Sequence, residues 1–140
     1  MKLLNCVLLV DDSEADNYIH GRVLRKVGCA ARIEAVLDGS QALEFLRKAT
    51  DGAYPQPEVI FLDINMPVMS GWEFIEEYRG LPAEQRGDTV VMMLSTSLNP
   101  DDRRRAEELD VLHGFLSKPL TEAAVRDLLA DAFPDHFPRV

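Results

Sequence analysis

Val59-Ile60-Phe61-Leu62-Asp63 is four apolar residues in a row closed by a carboxylate. Val7-Leu8-Leu9-Val10 followed by Asp11-Asp12 has the same form, and Val90-Val91-Met92-Met93-Leu94 followed by Ser95 has it again. A short run without polar alternation fits a strand covered on both faces, as in a parallel sheet. Between these runs the spacing turns helical. Ile19, Val23 and Val27, with Leu24 beside them, make one apolar stripe. Ser13 is a capping residue before that stripe and Gly28 is placed to end it.

The rest of the chain repeats the alternation. Arg32 to Leu37 reads as a second strand, and Asp38-Gly39 as a turn. Ser40 to Ala49 reads as a helix with Ala42, Leu43 and Leu46 inward, and Asp51 to Pro57 as a loop. Pro67 and Gly71 bound a loop before a helix from about Trp72 to Tyr78 that buries Phe74, Ile75 and Tyr78. Gly80 to Asp88 reads as a polar loop. Pro100 sits near the start of a helix reaching about Leu109. Gly114 to Ser117 is a fifth strand, and Thr121 caps a last helix in which Leu120, Ala124, Leu128 and Ala132 share a face. Five strands alternating with five helices predict an α/β, doubly wound parallel sheet with helices on both faces, a three-layer α/β/α fold.

The chain has 140 residues and a formal net charge of −9. That length fits one domain over residues 1–140, with a core of about 5–132 and a tail from 133 to 140. The acidic balance argues against nucleic-acid binding, which needs a basic face. On this reading of a single domain, a separate DNA-binding output module is not expected. No apolar stretch approaches the roughly 18 residues of a membrane span. The N-terminal run is broken by Asn5 and ends in two acids rather than in small residues, so it reads as a strand and not as a leader. Cys6 lies inside that run and behaves as a small hydrophobe. With Cys29 as the second of two cysteines, reduced thiols and a cytoplasmic location are expected. His20, His113 and His136 are too scattered for a histidine metal site.

In open parallel sheets ligands bind beyond the carboxyl ends of the strands. Those positions hold Asp11 and Asp12, then Asp63, then Ser95 and Thr96, then Lys118 and Pro119. A parallel sheet would gather them on one edge. Two unit charges about 4 Å apart repel by roughly 4 kcal/mol at an effective dielectric of 20, a cost that a divalent cation removes. Mg²⁺ suits carboxylates, waters and a phosphate oxygen. Asp63 then becomes a candidate nucleophile toward phosphorus, with Lys118 and Ser95 placed to neutralise and hydrogen-bond the phosphoryl oxygens.

Asp11-Asp12, Asp63-Ile64-Asn65-Met66-Pro67 with Gly71 following, Ser95-Thr96 and Lys118-Pro119 together resemble the receiver domain of bacterial response regulators, the CheY-like family. The resemblance runs from about Val7 to Ala132. It implies a flavodoxin-like sheet of order 2-1-3-4-5. It implies that Asp63 is the phosphoacceptor and that Asp11, Asp12, Asp63 and the backbone carbonyl of Asn65 hold Mg²⁺, with Asp11 acting largely through water. Lys118 would pair with Asp63 and then with the phosphoryl group, and Pro119 would be cis. Ser95 and Phe115 occupy the family's switch positions; Phe115 lacks the hydroxyl of the usual Tyr. The phosphoryl donor would be phosphohistidine on a sensor histidine kinase or a histidine phosphotransfer protein. Loss of the phosphoryl group would be self-catalysed, at a rate influenced by Asn65 and Ser97. The expected protein is a stand-alone response regulator of a two-component or phosphorelay system, not an enzyme on a free substrate. It would be a monomer or weak homodimer that signals to a downstream protein by contact.

Blander readings stand beside these. Asp11-Asp12 can serve as a helix cap and a favourable charge at a helix N-terminus. Ser95, Thr96 and Ser97 can each cap the next helix. Lys118 can be a solvated lysine, and Phe115 a packing residue. Trp72 reads as a packing residue near the cleft. Arg103-Arg104-Arg105 reads as a solvated face, or as part of a docking surface on the helix after the fourth strand. Two other functions compete: a receiver-fold interaction module working without phosphorylation, and an aspartate-nucleophile phosphatase. The first lacks its sign, a missing acceptor or lysine; the second expects an acid two residues after Asp11, where Ser13 stands.

Overall fold

The computed structural model describes residues 2–96, 100–109 and 111–138. The elements are β1 (Leu4–Val10), α1 (Glu14–Val27), β2 (Ala30–Val36), α2 (Gly39–Arg47), β3 (Val59–Asp63), α3 (Gly71–Arg79), α4 (Ala83–Arg86), β4 (Val90–Ser95), α5 (Pro100–Glu107), β5 (Leu112–Ser117) and α6 (Glu122–Ala132). The strands pair in parallel in the order β2-β1-β3-β4-β5. This is the predicted flavodoxin-like, doubly wound sheet.

The unbroken apolar runs are explained by two cores. Leu8, Val10, Ile60, Leu62, Val91 and Met93 face one way and pack with Ala42, Leu46, Phe74, Ile75 and Ala106. Their alternates Val7, Leu9, Val59, Phe61, Met92 and Leu94 face the other way and pack with Leu24, Val27, Val125, Leu128 and Leu129. Helices α2, α3 and α5 thus cover one face, and α1 and α6 the other. Each fully buried Val, Leu, Ile, Phe or Met side chain among them contributes about 1.5–3 kcal/mol.

Local signals act where expected. The Ser13 hydroxyl accepts from the Asp16 amide at 3.1 Å, and Gly28 ends α1 with a φ of 71°. The Thr121 hydroxyl accepts from the Ala124 amide at 3.1 Å. Three expectations need correction. Among the described residues the helical segments number six, because Gly80–Asp88 is not all loop: Ala83–Arg86 makes one short helical turn after Pro82. The inner face of α1 is Asn17, His20, Gly21, Leu24 and Val27, while Ile19 is 48% exposed and Val23 only half-buried. Asn17 belongs inside because its amide group donates to the Asp11 and Val36 carbonyls at 3.0 and 3.3 Å, closing the β1 and β2 ends. In α6 the buried stripe is Val125, Leu128 and Leu129, with Ala124 and Ala132 at its margin. Within residues 133–138, the Lys2 backbone amide donates to the His136 carbonyl at 3.0 Å and Phe137 packs on the α1–α6 side.

Gly71 fixes how α3 meets the end of β3. Its amide donates to the Ile64 carbonyl at 2.8 Å. A Cβ there would run into the Asp63 carbonyl oxygen and lie 3.0 Å from the Ile64 Cα. Backbone cannot step aside as a flexible side chain can. Gly71→Ala should therefore lower the unfolding free energy by about 1–3 kcal/mol in urea titration. Gly80→Ala, whose Cβ would sit 3.6 Å from its nearest neighbour, should stay within about 0.5 kcal/mol of wild type.

Candidate functional site

The sheet register brings the strand ends level. Val10 lies opposite both Val36 and Leu62, Asp63 opposite Leu94, and Ser95 opposite Ser117. The residues that follow each strand therefore share one edge. Asp11 is held hardest. It is 1% exposed, its amide donates to the Val36 carbonyl at 3.2 Å, and its Oδ1 accepts from the Ser13 amide at 3.0 Å. Asp12 next to it is exposed, and Asp63 is buried at the end of β3. One carboxylate oxygen from each of Asp11, Asp12 and Asp63 lies within 4.8 Å of the other two. Among the described residues this is the one cluster of potential metal ligands. Its oxygen-only donors fit a hard divalent cation.

Lys118 enters from the end of β5. Its amide donates to the Ser95 carbonyl at 2.9 Å, which ties it to β4, and the Lys118–Pro119 bond is cis as expected. The ammonium is 2.7 Å from Asp11 Oδ2, 3.1 Å from Asp16 Oδ2 and 3.5 Å from Asp63 Oδ1. The expected Lys118–Asp63 pair is thus present but is the longest of three. The closest partner is the deeply buried Asp11, whose charge has least access to water. Asp16 was not singled out by the sequence; its place in the first turn of α1 is the only signal that could have marked it.

The balance of charge shows in the titration of both partners. Burial pushes the Asp63 carboxyl up to about 6, with Asp11 and Asp12 adding repulsion that Lys118 only partly offsets. Burial works against the Lys118 charge, but the Asp11 and Asp16 carboxylates outweigh it and hold the ammonium above its ordinary range. Asp11, Asp12, Asp16 and Asp63 against Lys118 give a formal charge of 1 − 4 = −3.

The remaining candidates line the rim or lie behind it. Ser95 ends β4 and is 8% exposed, whereas Thr96 is exposed; Ser97 lies outside the described residues. Asn65 is exposed two residues beyond Asp63. Phe115 is half-buried against the α2–α3–α5 core, and the Arg103 guanidinium lies 4.6 Å from its ring centroid. Trp72 is buried and carries Arg105 at 4.6 Å. Arg104 is 3.5 Å from Asp101. The arginine run is therefore exposed but not simply solvated, since two of its three members lie on aromatic rings. Cys6 and Cys29 are free, buried thiols, both pushed up by burial, away from the reactive thiolate form. Among the described residues no helix is long and apolar enough to cross a membrane.

The family profile described as "Response regulator receiver domain" matches residues 7–130. The chain belongs to the response regulator receiver family. It is 33% identical over 115 residues to the probable methanogenesis regulatory protein FilR2 of Methanothrix harundinacea, covering 82% of this receiver and 72% of that protein. It is 29% identical over 129 residues to hybrid signal transduction histidine kinase L of Dictyostelium discoideum, covering 91% of this receiver but 7% of the kinase. The crystal structure of a two component response regulator from Cytophaga hutchinsonii superposes with a TM-score of 0.79 at 30% identity, over 93% of this receiver and 97% of that chain.

A carboxyl raised by the fold costs stability once ionised. Asp63 shifts from 3.8 unfolded to about 6 folded, so its contribution is most favourable below pH 4. That contribution is lost as pH rises from about 4 through 6. In metal-free buffer Asp63→Asn should stabilise the receiver by about 3 kcal/mol at pH 7.5. Thermal unfolding should show the gain shrinking toward pH 4.

Proposed function

We propose that this receiver accepts a phosphoryl group on Asp63 from a phosphohistidine donor and passes the signal by protein–protein contact. The observation that carries this is the setting of Asp63: a buried carboxylate at the end of a central strand, with an ammonium 3.5 Å from one oxygen and two further acids within 4.8 Å. A nucleophile in this place needs charge of both signs close by, since phosphoryl transfer depends mainly on positioning and charge stabilisation.

In the proposed step an Asp63 carboxylate oxygen attacks phosphorus. An O–P bond forms, the N–P bond of the phosphohistidine breaks, and the imidazole leaves with the bonding pair. Asp11, Asp12, Asp63 and the Asn65 backbone carbonyl would hold Mg²⁺, which when bound neutralises charge on the phosphoryl oxygens. The Lys118 ammonium pairs with another of those oxygens, and the Ser95 hydroxyl at the end of β4 donates to one as well. Phe115 then repositions, biasing a two-state element on the α5–β5 side. Arg103 moves with it or releases the ring. Water later attacks the same phosphorus and regenerates Asp63, so the receiver catalyses only its own phosphorylation cycle and turns over no free substrate.

The donor is a sensor histidine kinase or a histidine phosphotransfer protein, and the setting is cytoplasmic. The output partner is a protein, met by the receiver as a monomer or weak homodimer. Asp63, the Asp11-Asp12 pair and Lys118 lie together at one sheet edge, which supports this reading over a phosphorylation-independent module.

Intact-protein mass after incubation with acetyl phosphate tests the proposal, with a phosphohistidine-bearing phosphotransfer protein as a second donor. Wild type should gain one phosphoryl group only when Mg²⁺ is present, and Asp63→Asn none. No gain from either donor, or a gain that survives Asp63→Asn, would overturn it.

A further inference from the structure

Lys118 has three neighbouring carboxylates, and two of them belong to the cation cluster. Asp16 is the third. It reaches the ammonium at 3.1 Å from the first turn of α1, and it is not one of the clustered ligands. Its side chain is 39% exposed, against 2% for Asp11 and 12% for Asp63. Another group able to carry positive charge on α1, His20, lies one turn further along. It is 2% exposed, and burial holds it below the usual histidine range. The ammonium has three N–H donors and so can serve several acceptors at once.

We propose that Asp16 is a positioning residue for Lys118, an anchor that shares the ammonium with Asp11 and Asp63 and competes with a phosphoryl group for it. The inference rests on the proposed function. Once Asp11 and Asp63 are committed to a cation, Asp16 is the carboxylate left to hold Lys118 beside the site. Without Asp16, Lys118 pairs more fully with Asp11 and Asp63, so cation binding must displace a stronger ion pair. In the loaded site the same lysine is freer to meet an anion on Asp63. The two affinities should therefore move in opposite directions.

Asp16→Asn preserves the helix start, because the Ser13 cap uses the Asp16 backbone amide. Mg²⁺ affinity by calorimetry should fall about fivefold, and beryllofluoride affinity at saturating Mg²⁺, by fluorine NMR, should rise about fivefold. That scale is set by the screening of a pair more than one-third exposed on one side. A change in field alone would give the same signs, so the deciding arm is a double-mutant cycle. In a Lys118→Met background, Asp16→Asn should no longer change Mg²⁺ affinity. Persistence of the full shift in that background, no shift in wild type, or shifts of the same sign would overturn the inference. If wild type binds neither Mg²⁺ nor beryllofluoride, the proposed function fails first and this inference with it. If wild type binds both and Asp16→Asn changes neither, only the inference fails.

Discussion

The Lys118 ammonium stands among the carboxylates of Asp11, Asp16 and Asp63, and much of the fold serves to bring it there. Those residues are spread over more than a hundred positions of the chain. Parallel pairing is what makes them neighbours, because it puts the carboxyl ends of β1, β3, β4 and β5 along one edge. An antiparallel partner would send alternate strand ends to opposite edges of the sheet. The right-handed helical crossovers that parallel strands require also supply the first turn of α1, and so Asp16.

Such an edge is unfavourable in itself. One ammonium does not neutralise four acids, two of which are buried. Asp63 records the imbalance, its carboxyl pushed up to about 6 chiefly by burial. The apolar layers on both faces of the sheet offset that strain. Backbone contacts then hold the acids in place: Asn17 on the Asp11 and Val36 carbonyls, and Gly71 against the Asp63 carbonyl. The clustered oxygens of Asp11, Asp12 and Asp63 could hold a divalent cation, and the proposed function builds on that arrangement.

Much of this was legible in the sequence. Apolar runs closed by Asp11, Asp63 and Ser95 marked three strands and the edge, because a strand buried on both faces has no polar alternation to blur its end. The face of α1 was not legible. Ile19 fits an apolar stripe, yet the inner face needs Asn17 for the backbone of the strand ends and also accepts His20. Hydrophobic spacing carries no sign of a polar residue buried for its hydrogen bonds. Lys118's preference for Asp11 over Asp63, and its contact with Asp16, were also out of reach. They depend on burial and on ångström differences in distance, neither of which spacing encodes. The short turn at Ala83–Arg86 was missed because a single turn has no periodicity to detect.

The edge holds excess negative charge centred on Asp63, and under the proposed function a divalent cation relieves it. Calorimetric titration of Mg²⁺ into the receiver at pH 8 and pH 5 addresses it directly. We expect one site per chain, about tenfold weaker at pH 5 because the carboxyl near 6 must lose its proton, and lost on Asp63→Asn. Affinity that is the same at both pH values, or that survives Asp63→Asn unchanged, would contradict a charge imbalance centred on Asp63.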